Sequence, residues 1–168
     1  MSIDLYRLSV GSFQRHLEHI DALLSKALTH CAEHGVDPHD LLGARLAPDM
    51  FDFKRQVQIA CDFAKGAGAR LAGVEVPKFE DDEQSFEDLR VRVNKTMGFL
   101  RSLSPQDFFN ADTRTVVIPL RDRTLRMEGA TYLVDFALPN FYFHYTTAYD
   151  LLRHKGVAIG KRDFIGDV

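Results

Sequence analysis

The chain has 168 residues, 45% of them hydrophobic and 27% charged, with a formal net charge of −3. That length fits a single domain over 1–168 able to bury a sizeable core. A mildly acidic balance with no Lys/Arg run excludes the electrostatic footprint of a nucleic-acid binder, and no stretch reaches the ~18 apolar residues of a membrane span.

The opening residues, MSIDLYRLSVGSF, lack the charged-then-apolar order of a secretory leader. A cytoplasmic protein is therefore expected, with Cys31 and Cys61 as reduced, small core residues. A first long helix is predicted from about Val10 to Glu33. Its apolar stripe is Phe13, Leu17, Ile20, Leu24, Ala27 and Cys31, and Gly35 stops it. Asp37-Pro38 reads as the cap and first position of a short helical turn. A second long helix is predicted from Pro48-Asp49 to Ala72, with Phe53, Val57, Ala60, Cys61, Ala64 and Leu71 inward. Gly66 and Gly68 in it suit close packing of a neighbouring helix, since no strand precedes them to make a phosphate loop.

VEVPKFEDDEQ is read as a linker whose acidic run, residues 80–83, is solvated. Ser85 caps a third helix with Glu87 and Asp88 in its first turn, and Phe86, Leu89, Val93, Met97 and Leu100 form its core face. SPQDFF makes a turn. From Thr113 to Met127 the composition turns β-branched around Arg121-Asp122-Arg123, which predicts a short hairpin. The arginines at 121, 123 and 126 belong to an exposed turn that blocks edge pairing. The last long helix is predicted from Ala130 to His154, and the remaining residues form a tail that folds back along the bundle.

In that last helix Leu133, Ala137, Asn140, His144, Thr147, Ala148 and Leu151 share one face. Three polar residues thus interrupt an apolar stripe. Buried polar groups need partners, so this face should look onto a polar pocket or a tight hydrogen-bond network. Pro139 should kink the helix one turn before His144 and free the carbonyl of Asp135. The opposite face carries Leu138, Tyr142, Tyr145 and Tyr149, which should either pack under the tail or hairpin or form a homodimer interface.

Other histidines invite less. His30 and His34 stand four apart but in the last turn of a helix, where the dipole favours them. His16 and His19 border the first stripe without an acidic or thiol partner, and His154 sits at a helix end. No GxSxG elbow occurs, and neither cysteine has a histidine partner.

Two segments, DMFDFKRQVQIACDFAKGAGARLAGVEVP and LPNFYFHYTTAYDLLRHKGVAIGKRDFIG, strongly resemble the bacterial domain-of-unknown-function family 1993, a branch of the DinB/YfiT-like superfamily. Four long amphipathic helices with a short β-hairpin inserted before the last one already describe an all-α four-helix bundle, and the resemblance implies an up-down-down-up order, often dimeric. It also implies a divalent metal, zinc or nickel, held by one histidine of the second helix and an HxxxH pair of the fourth. This sequence departs from that pattern. The pair falls on Asn140 and His144, and the inward polar residue of the second helix is Gln56. His144 and Asn140 are the metal-ligand candidates, although two amides and one imidazole are poor donors for these ions.

Two readings follow. In the first, the protein is an enzyme or the relative of one, a hydrolase or thiol transferase by analogy with the fold, with His144 as catalytic base and Gln56, Asn140 and Thr147 lining the pocket. In the second it is a non-catalytic dimeric bundle that binds a small molecule or a partner, with His144 in a buried hydrogen-bond network. Neither reading includes nucleic acid or a membrane.

Overall fold

The computed structural model describes residues 4–167. Helix α1, Ser12–His34, buries every member of the predicted stripe from Phe13 to Cys31. It starts earlier than its periodicity suggests, because a π-helical turn, Arg7–Gly11, runs straight into it. Gly35 ends it in the left-handed conformation, φ 65°, which a side chain would resist. Helix α2, Pro38–Leu42, is capped by Asp37, whose carboxylate accepts the His39 N–H at 2.9 Å.

Helix α3 spans Phe53–Ala72 and so begins four residues after the expected Pro48-Asp49. Ala47, preceding a proline, is disfavoured as helix, and the segment closes instead as a turn through Met50 N–H to the Ala47 carbonyl. Asp52 is the true cap, accepting the Arg55 N–H at 2.9 Å. Gly68 lies so close to α4 that a Cβ there would sit 2.6 Å from a Leu100 methyl, which bears out the packing role of the small residues. Helix α4, Phe86–Ser102, opens with a full capping box between Ser85 and Asp88.

Gly98, exposed in the middle of α4, has open space where a Cβ would go. Gly98→Ala removes unfolded-state freedom without a clash, and we expect about 0.5–1 kcal/mol of added stability in urea unfolding. A destabilised variant would contradict that open surround.

After a 3-10 turn, Pro105–Phe108, the chain forms the predicted hairpin. Strands β1, Thr115–Pro119, and β2, Thr124–Glu128, pair antiparallel with Thr115 opposite Glu128. Val116 and Ile118 point into the core, while Arg121, Arg123 and Arg126 are exposed. The last long helix has three parts: a single turn α5, Gly129–Thr131; a π-helical stretch, Tyr132–Ala137; and α6, Leu138–His154. A kink is expected at Pro139, and the irregularity found there is the π-helical stretch. Leu138 N–H reaches back five residues to the Leu133 carbonyl, so the ladder changes register just where proline has no N–H to give.

Helix α3 packs on both α4 and α6, and α4 packs on α1. Phe13 and Phe141, edge to face at 5.0 Å, close α1 against α6. The tail folds back as expected. Its short helix α7, Lys161–Ile165, lies on α1 and places Phe164 flat on Tyr145 at 4.1 Å. Tyr145 Oη donates to the Phe164 carbonyl at 2.7 Å, and Phe164 also meets Tyr149 edge-on. Of the alternatives for the tyrosine face, the tail therefore covers Tyr145 and Tyr149. Both cysteines are free and buried, and no helix among the described residues is long and apolar enough to cross a membrane.

Candidate functional site

Helices α3 and α6 bring Gln56 and His144 together. The Gln56 side-chain amide donates through Nε2 to the Phe51 carbonyl at 3.1 Å, just ahead of α3. That bond fixes the amide orientation and turns Oε1, an acceptor, toward His144 Nδ1 at 2.7 Å. Nδ1 must then carry the proton, and the other nitrogen, Nε2, keeps its lone pair. Nε2 has no protein partner among the described residues and is not cut off from solvent.

The ring is 9% exposed. Phe63 lies parallel to it with centroids 6.0 Å apart, and Phe143 meets it edge-on at 5.1 Å. Phe143 is 58% exposed, so one open phenyl ring flanks the histidine. Arg55 lies over the exposed Phe51 ring, with its guanidinium carbon 5.9 Å from the ring centre. Burial, and then the positive charge of Arg55, push the His144 pKa below its ordinary 6.5. At neutral pH the side chain is an oriented, uncharged acceptor.

Asn140 and Thr147 do not join this pair. Asn140 Nδ2 donates to the Phe136 carbonyl at 2.7 Å, and Thr147 Oγ1 donates to the Phe143 carbonyl at 2.7 Å. Each satisfies itself on its own helix one turn back. The donor set also decides against a resident zinc or nickel. The Gln56 amide is engaged at both ends, the Asn140 amide nitrogen is spent, and one imidazole nitrogen remains. Among the described residues no three His, Cys, Asp or Glu side chains gather as a ligand set. These residues do not fit the metal that the fold resemblance implies.

The acidic segment needs correcting. Glu83 is buried, not solvated, and accepts from Arg92 at 2.9 Å and from Gln58 at 2.6 Å. Arg92 is 3% exposed and also reaches the Glu80 carbonyl, Asp62 and Asp81, each at about 3.0 Å. Its Nε is buried without a partner. Asp81 in turn binds Arg55. Burial works against that carboxylate, but Arg55 and Arg92 outweigh it and hold its pKa below the usual range. The linker is thus pinned across α3 and α4, and its anchor, Arg55, is the cation beside His144. The signal in the sequence was Arg92 itself, three residues after Leu89 and so on the buried side of α4.

His16 and His19 are half-buried and bond to the Ser12 and Phe164 carbonyls at 2.7 and 3.1 Å. His30 and His34 stack on each other at 4.4 Å in the last turn of α1.

The profile of a family described as a domain of unknown function, DUF1993, matches residues 5–165. No curated protein matches the chain. The crystal structure of a DinB family member protein from Shewanella denitrificans is 40% identical, over 98% of this chain and 93% of that one, with a TM-score of 0.92. An extended match of sequence and the same helical frame point one way, and the chain belongs to the DUF1993 family with a DinB-like four-helix fold.

Proposed function

We propose that this protein is a DinB-like bundle that binds a small molecule without a metal, offering His144 Nε2 as the acceptor for a hydroxyl, thiol or amide proton of the ligand. The observation that carries the reading is the Phe51–Gln56–His144 chain of hydrogen bonds, which sets the tautomer and leaves one lone pair unspent. The exposed ring of Phe143 beside it suits an aromatic or other flat apolar body. A homodimer formed through the tyrosine-bearing side of α6 has only Leu138 and Tyr142 left to offer, since the tail holds Tyr145 and Tyr149.

The lowered pKa of His144 favours a second reading. A neutral imidazole with a free nitrogen takes a proton at pH 7, so the same atom is suited to general-base hydrolysis or thiol transfer. Among the described residues no nucleophile or carboxylate joins the hydrogen bonds of His144, and binding is therefore the first reading.

Imidazole nitrogen NMR tests the site directly. We expect His144 to appear as the Nδ1–H tautomer, with a titration midpoint below 6.5. Phenol, benzyl alcohol and a benzyl thiol serve as probes. At least one should shift Nε2 saturably in the native protein, and Gln56→Leu should weaken that binding. A ring that titrates at 6.5 or above, or a set of probes that all leave Nε2 unmoved, would overturn the reading.

A further inference from the structure

Turns of π-helix are irregular and destabilising, and they recur at functional sites. Among the described residues there are two, Arg7–Gly11 and Tyr132–Ala137, far apart in sequence. Both line the same groove, of about 810 Å³. Arg7, Leu8 and Gly11 come from the first, and Leu133 and Val134 from the second. Helix α1 adds Ser12 and Arg15, and α6 adds Leu138 and Tyr142. The volume is that of a small-molecule site.

The lining divides by chemistry. Leu8, 47% exposed, and Val134, 59% exposed, line it as open apolar surface. Arg7 and Arg15, both exposed, also line it, and neither forms a salt bridge among the described residues. Among the described residues Asp112 is the one acid lining the groove, against two arginines. Ser12 Oγ and Tyr142 Oη, 3.3 Å apart, add a polar pair between α1 and α6.

We propose that this groove binds a small amphipathic carboxylate, with its apolar body on Leu8, Val134 and Leu138 and its anionic end between Arg7 and Arg15. Two guanidinium groups without a salt bridge, lining the same apolar trough, are the complement of such a ligand. The site is independent of the His144 reading. Tyr142 and His144 are two residues apart on α6 and so face different sides of it.

Octanoate and octanol, used below micellar concentration, share an apolar chain and differ in charge. Methyl NMR should show octanoate shifting Leu8, Val134 and Leu138 saturably, about tenfold more tightly than octanol. The double variant Arg7→Gln/Arg15→Gln should lose that tenfold preference while octanol binding holds. Val134→Glu should abolish binding of both. Equal affinity for the two probes would overturn the proposal, as would shifts confined to residues outside the groove. Dilution of ligand-free protein is the third arm. If the same methyls shift as light scattering reports dissociation, a second copy of the chain is the occupant and the proposal fails.

Discussion

Arg92→Met should cost the protein about 3–5 kcal/mol, the loss expected when one member of a buried ion pair is removed. The substitution keeps much of the aliphatic volume, so the cost falls on what remains. Glu83 is left with only the Gln58 amide for company, in a place that is 6% exposed. An unpaired carboxylate there must either stay charged out of water or take up a proton. Asp62 and Asp81 suffer less, because their side chains are 35% and 42% exposed and water replaces the arginine. Asp81→Ala is accordingly expected to cost under about 1 kcal/mol. The double variant Glu83→Met/Arg92→Met should recover most of the loss, since no charge is then stranded. Urea unfolding of the three variants separates these terms. Equal losses for Arg92→Met and Asp81→Ala would show that Glu83 is hydrated in solution.

The same cluster shows where sequence reading stops. The stripes of α1, α3 and α4 were legible because burial follows helical period, and the residues from Phe13 to Cys31, Phe53 to Leu71 and Phe86 to Leu100 that formed them are all in the core. Glu83 was not legible. Four successive acids read as a solvated run, and its partner lies nine residues on, in a different element. The start of α3 was misplaced because Asp49 and Asp52 are both fair caps. The choice fell to Asp52 because Pro48 folds its own neighbours into a turn. The π turn before Pro139 was invisible, because a one-residue slip in backbone hydrogen bonding leaves no mark on side-chain type.

The candidate site was half legible, for a similar reason. Gln56, Asn140, His144 and Thr147 each interrupt an apolar stripe, and periodicity cannot tell a polar residue that needs a distant partner from one that satisfies itself. Asn140 and Thr147 are of the second kind, reaching carbonyls four residues back. Gln56 and His144 are of the first, 88 residues apart and joined across two helices. The HxxxH pattern of the resemblance placed attention on the right helix. It did not anticipate that an amide would replace a ligand by orienting the remaining imidazole.

Gln56→Leu should cost about 1–3 kcal/mol, the usual loss when a buried hydrogen-bonding group is stranded, here the His144 Nδ1–H. Gln56→Glu is the sharper experiment because it changes the sign of a pH dependence. In the native protein burial and then Arg55 hold the folded pKa of His144 below 6.5. The unfolded chain therefore binds the proton more tightly. The contribution of His144 to stability is full above pH 6.5 and is lost as pH falls through the folded pKa. A carboxylate at position 56 would accept from the imidazolium and raise the folded pKa above 6.5. That contribution is full below 6.5 and lost as pH rises through the folded pKa. Denaturation at about pH 5.5 and about pH 8 reads the difference, since histidine is the side chain whose ordinary titration falls between them. The native protein should gain from the higher pH through His144, and through His16, whose pKa burial also lowers. Gln56→Glu should shift the balance toward the lower pH, and adding His144→Gln should erase the change. If both proteins follow the same pH profile, residue 56 does not control the proton on that ring, and the lone pair assigned to Nε2 loses its support.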